Sequence, residues 1–317
     1  MLGFTRADRP CDDTFRYCFQ KLNLAAFEQA SEVWARQELQ VLAKPDTPLV
    51  GYALDGKTLR GSADPCAGQV TRHLLSLLHH THLSVVASCE VDGKENEIPA
   101  AERLLAELNL WGMLITADAL ITGRSIAATI EQREGRYLLA LKGNHPQALE
   151  LVREMFRPDL PPLDTTQTLE SVEVSKGWTM TRRLTWTLGN FGLEAFESVQ
   201  QVAQLERTRF HKSSGKTQHE TRYFISNARP GELKVEQVMQ LIRQHWQIEN
   251  GLHRTRDVHF KEDASSVRTG NLPRVMAALS NLLIGFLTRR GWTSITQAAE
   301  HFVAQPRDAL ELLLVPL

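Results

Sequence analysis

Three short runs, far apart in the chain, each set one carboxylate where it could do chemistry: Gly51-Tyr-Ala-Leu-Asp-Gly-Lys-Thr-Leu-Arg60, Leu114-Ile-Thr-Ala-Asp-Ala-Leu120 and His245-Trp-Gln-Ile-Glu-Asn250. In the first two, Asp55 and Asp118 close apolar, strand-like stretches. In the third, Glu249 lies on an amphipathic helical pattern. Side chains at the C-terminal edge of a sheet face the crevice in which ligands bind. Three acids gathered there would suit a hard divalent cation such as Mg²⁺, which takes oxygen ligands and leaves positions for water and phosphate. Two such ions can clamp the attacking and leaving oxygens of a phosphodiester, so the chemistry implied is metal-dependent cleavage and joining of DNA strands.

Those acids need a frame. Residues from about 14 to 43 read as helix, with Asp12 and Asp13 as caps, before Pro45 and Pro48 punctuate the chain. Leu49–Leu54 is a short apolar run suited to a central strand, ending at Asp55-Gly56, and His73–Val91 reads as a hairpin beside it. A helix opens at Glu97-Ile-Pro99, proline being tolerated in a first turn. Met113–Ala117 is a second buried strand, Arg124–Glu134 a helix stopped by Gly135, and Tyr137–Leu141 another strand. That order predicts a mixed α/β sheet flanked by helices over residues 45–157. Pro158, Pro161 and Pro162 then mark a joint. Three β-rich runs come next, Glu170–Leu188, Ser198–Phe210 and Gln218–Ile225, read as a β insertion over 158–226. The core resumes over 227–270 with one long helix, Val235–Phe260, on which Ile242, His245, Glu249, Asn250, His253 and Arg256 share a stripe. Helices over Leu272–Leu287 and Ile295–Leu314 form a C-terminal tail over 271–317, and a helical segment over 1–44 precedes the core.

Plainer readings compete at each position. An aspartate at a strand end is often a turn residue, and Glu249 could pair with Arg256 on a surface helix. His73, His79, His80 and His82 lack the cysteine or carboxylate that a zinc site would add, and read as strand and turn polar residues. Glu262-Asp263 reads as a solvated turn after the helix. The cations nearest the acids, Lys57, Arg60, Lys142 and Arg256, could meet a scissile phosphate. Within the insertion, Arg207–Arg222 holds five lysines and arginines against one glutamate, so Arg207, Arg209, Lys212 and Lys216 could grip duplex DNA.

The 317 residues suffice for one large domain or one domain with an insertion. Charged residues make up 23% and the net charge is −1, so any DNA-binding surface must be a local patch. Cys11, Cys18, Cys66 and Cys89 show no C-x-x-C spacing and suggest reduced thiols in a cytosolic setting. The uncharged apolar run Val275–Leu287 is too short to span a bilayer, and the first residues lack a signal core. The expectation is a soluble cytoplasmic protein, nucleoid-associated when bound to DNA, with no membrane partner.

Ordered motifs extend these readings. Leu54-Asp-Gly-Lys-Thr-Leu-Arg-Gly-Ser62, Asn96-Glu-Ile-Pro99, Thr116-Ala-Asp-Ala-Leu120, Tyr137-Leu-Leu-Ala-Leu-Lys-Gly-Asn144, His245-Trp-Gln-Ile-Glu-Asn250, Glu262-Asp-Ala-Ser265 and Val267-Arg-Thr-Gly-Asn271 follow one another between about residues 10 and 313. In these runs the chain resembles the DDE transposases of bacterial insertion sequences, in the ISAs-type branch that includes H-repeat-associated proteins. The resemblance implies an RNase H-like core, with Asp55, Asp118 and Glu249 as a catalytic and metal-binding triad. It implies two Mg²⁺ ions, with Mn²⁺ able to substitute. The implied partners are double-stranded DNA at element ends and target, and further copies of the chain when bound to DNA. Related transposases carry a Tyr, Arg, Glu, Lys pattern around the catalytic glutamate, whose equivalents here are Ile242, His245, Glu249 and Arg256. The chain also departs from the family at Ile121-Thr122-Gly123 and at Arg254, and its N-terminus is shorter than usual. A truncated, non-transposing DNA-binding remnant is therefore the alternative, and an RNase H-like nuclease without strand transfer a third reading.

Overall fold

The computed structural model describes residues 10–42, 49–63, 70–93, 95–189 and 196–314. The expectations for residues 1–9, Ala43, Pro45, Pro48 and Cys66 lie outside them. The described strands are β1 (Val50–Leu59), β2 (Arg72–His79), β3 (Val85–Val91), β4 (Met113–Ala117), β5 (Arg136–Leu141), β6 (Gln167–Ser175), β7 (Trp178–Leu188), β8 (Gln201–His211) and β9 (Thr217–Ser226). They form one sheet in the order β3-β2-β1-β4-β5-β9-β8-β7-β6. β1, β4 and β5 run parallel, and β2 and β3 fold back antiparallel at one edge. This is the mixed, RNase H-like sheet flanked by helices that the motifs led us to expect.

The β-rich segment does not build a separate layer. β9 pairs antiparallel with β5 from Leu138↔Ser226 to Leu141↔Tyr223, so the insertion's four strands extend the core sheet. Its first run divides into β6 and β7 at Lys176-Gly177, both with positive φ. A two-residue hairpin turn of that kind matches the twist of the strands it joins.

Helices cover both faces. The described helices are α1 (Asp12–Lys21), α2 (Leu24–Leu42), α3 (Glu97–Ala106), α4 (Arg124–Gln132), α5 (Pro146–Met155), α6 (Val235–His245), α7 (Arg254–Val258), α8 (Leu272–Arg289), α9 (Ile295–Ala304) and α10 (Pro306–Leu314). Alternate residues of a strand point to opposite faces, and the buried positions sort accordingly. Leu54, Leu75, Ile115, Ala117 and Leu139 pack under α3, α4 and α5. On the other face α6 lays Val238, Met239, Leu241 and Ile242 against Leu114, Leu138 and the insertion residues Trp186 and Phe224. Ala53 and Leu78 meet Ile248, Leu252 and Ile284 there. α2 lies against β3 and α8.

Among the elements that differ from the sequence expectation, two border the candidate acids. β1 does not stop at Asp55: residues Gly56 to Leu59 continue it against β2 alone, from Gly56↔Leu75 to Leu59↔Arg72. The expected single helix Val235–Phe260 is broken. α6 ends at His245, a π-helical segment covers Ile248–His253, and α7 comes after it. Among the described residues, no helix is long and apolar enough to cross a membrane.

Candidate active site

Strand register brings Asp55 and Asp118 side by side. The parallel ladder of β1 and β4 runs from Val50↔Met113 to Leu54↔Ala117, so the next residue of each chain is an aspartate. Adjacent strands lie about 4.8 Å apart, which sets the scale of the separation of the two backbones. Parity sets the face: Asp55 shares the side of Ala53, which packs on Ile248 and Leu252, and Asp118 shares the side of Thr116, which meets His245. Both acids therefore turn toward the segment bearing Glu249.

Burial and then the charges of Glu249, Glu97 and Asp118 push the Asp55 carboxyl up to about 7, against one backbone hydrogen bond from Gly56. Four carboxylates thus share this edge of the sheet. Asp118 is braced from its own turn, where Oδ1 accepts from the amides of Leu120 (2.8 Å) and Ile121 (3.4 Å). Glu249 stands exposed on the π-helical segment, whose Ile248 and Leu252 anchor it to the core. His253, one turn on, approaches Asp55 Oδ2 with Nδ1 at 3.7 Å. Burial, with the nearby charges of Arg256, Lys57 and His73, lowers His253 to about 3, so this is a contact of a neutral ring rather than an ion pair.

Glu97 is the acid that the sequence reading missed as a site residue. It begins α3, whose N-terminus Asn96 caps by accepting from the Ile98 amide at 3.1 Å. Its Oε1 meets His73 Nε2 at 2.6 Å, and His73 Nδ1 meets Thr58 Oγ1 at 2.8 Å. Gly56 makes room for this pair, because a Cβ there would overlap both Glu97 Oε1 and His73 Nε2. The Glu97 run, Asn96-Glu-Ile-Pro99, is one of the motifs that carry the resemblance, but an acid in the first turn of a helix is also how an ordinary helix begins.

Below the acids, Thr116 Oγ1 joins two imidazoles, His245 Nδ1 at 2.9 Å and His80 Nε2 at 3.0 Å. His79 and His80 are buried, His79 stacking on His82, so these histidines serve the core and a turn as expected.

The cations sort into three groups. Lys57 is 8% exposed, with Nζ 2.7 Å from Asp257 Oδ1, 3.9 Å from Glu262 Oε1 and 3.8 Å from Asp263 Oδ1. Arg256 is 0% exposed, donating to Glu262 through Nε (2.9 Å) and Nη2 (2.7 Å) and to Asn281 through Nη1 (3.2 Å). Direct phosphate contact by Lys57 or Arg256 is thereby corrected: both are consumed by internal carboxylates. The same contacts stand in place of the alternative Glu249–Arg256 pair and make Glu262 a half-buried partner rather than a solvated turn residue. Arg60 (79% exposed) and Lys142 remain at the surface. In the insertion, Lys212 and Lys216 are exposed, Arg207 pairs with Glu220, and Arg209 lies over the Trp178 ring at 4.8 Å.

Among the described residues, Asp257, Glu262 and Asp263 are the acids whose ligand atoms all lie within 4.8 Å of one another. The Lys57 ammonium already sits in that trio, which makes it a charge cluster tying β1 to the turn after α7. Gly61 permits the same junction, since a Cβ there would meet the carbonyls of Ser265 (2.7 Å) and Glu262 (2.8 Å). Asp55, Asp118 and Glu249 are more widely spread. A pair of ions about 3.5–4 Å apart needs ligands distributed around both, rather than a single tight trio. Their donors are all carboxylate oxygens, the set that hard divalent cations take.

A family model described as a transposase DDE domain matches residues 46–285. YncI of Escherichia coli O157:H7, which carries a provisional transposase name, is 28% identical over 284 residues, spanning 88% of this chain and 70% of that protein. YhhI of E. coli K12, provisionally named an H-repeat-associated transposase, is 29% identical over 291 residues, spanning 88% and 73%. A piggyBac transposase synaptic complex with hairpin DNA shows a loose structural likeness, at 13% identity and a TM-score of 0.41, over 76% of this chain and 47% of that one.

Proposed function

We propose, on the premise that the chain belongs to the transposase DDE domain family, that it cleaves the DNA strands at the ends of an insertion sequence and transfers them to a target. Family membership carries the transposase function; the assignment of residues is our reading. The observation that supports it most is the register that makes Asp55 and Asp118 neighbours at the end of the β1–β4 ladder, with the charges of Glu249 and Asp118 acting on Asp55. Asp55, Asp118 and Glu249 would hold two Mg²⁺ ions, or Mn²⁺ in their place. When bound, such ions supply a Lewis acid for the phosphate oxygens and favour deprotonation of the attacking water or 3′-hydroxyl.

The protein's own groups prepare the site. The sheet sets the two aspartates side by side, and the Leu120 and Ile121 amides hold one oxygen of Asp118. Glu249, on a segment pinned by Ile248 and Leu252, closes the third side. Arg60 and Lys142 lie at the surface where they can meet the phosphates flanking the cut, and Arg207, Arg209, Lys212 and Lys216 can hold duplex along the insertion. Assembly of further copies on paired DNA ends belongs to the same reading.

The test is cleavage of a duplex carrying the element's end, with Mg²⁺ or Mn²⁺, by wild type and by Asp55→Asn, Asp118→Asn and Glu249→Gln. Each variant keeps shape and loses a charge, so each should bind the duplex and fail to cut it. Undiminished cleavage by any of them would remove that residue from the triad. A wild-type chain that binds element ends without cutting them would establish the remnant reading instead.

A further inference from the structure

We infer that Arg222, on β9, is the residue beside Glu249 that grips a backbone phosphate of the DNA; this rests on the proposed transposase function. The helix itself does not supply that cation. Two positions on its site stripe hold Ile242 and His245, and Arg256 is buried against Glu262 and Asn281.

Arg222 reaches the place from the neighbouring strand. Its Cζ lies 4.7 Å from the centroid of the Trp246 ring, one helical turn before Glu249. Its Nε donates to Glu220 Oε1 at 2.5 Å. The contact with the ring and the Nε hydrogen bond together hold the base of the guanidinium. Among the described residues, its two terminal nitrogens donate to no acceptor. A planar fork held at its base and open at its tip is the geometry that binds phosphate through two parallel hydrogen bonds.

Charge agrees with geometry. Glu220 also pairs with Arg207, so two guanidiniums share one carboxylate and one positive charge stays uncompensated. The Arg222 side chain is 28% exposed, open enough for a ligand and enclosed enough to be held. It also borders the acids: Asp118 and Arg222 both act on His245, the ring that meets Thr116 two residues before Asp118. Trp246 precedes Glu249 by three residues, so a phosphate on the fork would lie on the face of the sheet to which the carboxylates turn.

The experiment is titration of a fluorescein-labelled duplex at several KCl concentrations in EDTA, then cleavage of the same duplex with Mn²⁺, for wild type, Arg222→Gln and Arg222→Lys. Loss of one phosphate contact should lower the slope of log affinity against log salt by about 0.9 in Arg222→Gln. Arg222→Lys should keep that slope, because the charge remains, but cut roughly tenfold more slowly, because the two-pronged hydrogen bond is lost. An unchanged slope in Arg222→Gln overturns the inference. If thermal melting shows that Arg222→Gln does not fold, Arg222→Lys decides alone, and a wild-type cutting rate overturns it. A wild type that neither binds nor cuts DNA would instead remove the functional reading on which the inference stands.

Discussion

Replacing Thr116 with valine isolates the polar contact beneath the acids. Thr116 is 2% exposed, and its hydroxyl lies 3.2 Å from the Tyr52 carbonyl, 3.0 Å from His80 Nε2 and 2.9 Å from His245 Nδ1. A hydroxyl has one hydrogen and two acceptor positions. Donating to the carbonyl leaves it accepting one N–H from each imidazole. Burial lowers His80 to about 3 and His245 to about 4, so near neutral pH each ring is uncharged and carries a single N–H. Valine keeps the shape and orphans both donors. A buried unsatisfied donor costs about 1–3 kcal/mol. Moving the His80 proton to Nδ1 brings no relief, because that nitrogen is also buried without a partner, so two orphaned donors put the expected destabilisation at about 2–6 kcal/mol. Thr116→Ser keeps the hydroxyl and deletes one methyl, for about 1 kcal/mol. Guanidinium unfolding monitored by tryptophan fluorescence should rank wild type, serine and valine in falling order. A valine variant as stable as the serine variant would refute the bridging role.

Three further outcomes concern the charged groups. Arg256→Met should destabilise the fold by about 3 kcal/mol, the low end for a broken buried pair, because Glu262 loses both hydrogen bonds from Arg256 and keeps only the longer contact with Lys57, with an unchanged salt slope of DNA binding; normal stability with a reduced slope would restore Arg256 to the DNA surface. Replacing Arg207, Arg209, Lys212 and Lys216 together with glutamine should lower that slope by about 2–4, and an unaltered slope would move the DNA path off the insertion. His79 is lowered to about 3 by burial, then by His82 and Arg289, and its Nδ1 accepts from the amides of Thr81 and His82. Its folded pKa lies below the unfolded value near 6.5, so the unfolded chain takes up the proton first. The stability this group contributes is present above pH 6.5 and is lost as pH falls toward 3, at up to about 1.4 kcal/mol per pH unit. His79→Gln should flatten the urea-unfolding free energy over that window, and an identical pH profile would show that His79 does not titrate on unfolding.

Legibility in the sequence tracked how local each cause was. β4 was readable to the residue because Met113–Ala117 is a short buried run closed by an acid. β1 was read too short because Gly56-Lys57-Thr58 looks like a turn, whereas its extension is held by β2, a partner no local pattern names. Counting by 3.6 residues placed Arg256 on the stripe of Glu249. The π-helical turn adds a residue between them and rotates α7 by about 100°, which carries Arg256 into the core. Lys57 looked like a free cation beside Asp55, but its partners Asp257, Glu262 and Asp263 lie 200 or more residues away in sequence. Glu97 and Arg222 were overlooked for the same reason, since each owes its place to a neighbour on another element.

The shared register of Asp55 and Asp118 limits how such a site can change. A single residue gained or lost within β1 ahead of Asp55 would turn that acid to the opposite face and put Leu54 or Gly56, neither of them a ligand, in its stead. Gaining or losing two would restore the face but shift the acid along the strand by about 6.6 Å, past its partner. The spacing of the two aspartates is thus quantised, with no intermediate setting open to gradual adjustment. Glu249 rides on a turn that has already absorbed one extra residue, so any fine tuning of the proposed triad over evolutionary time falls to the third acid.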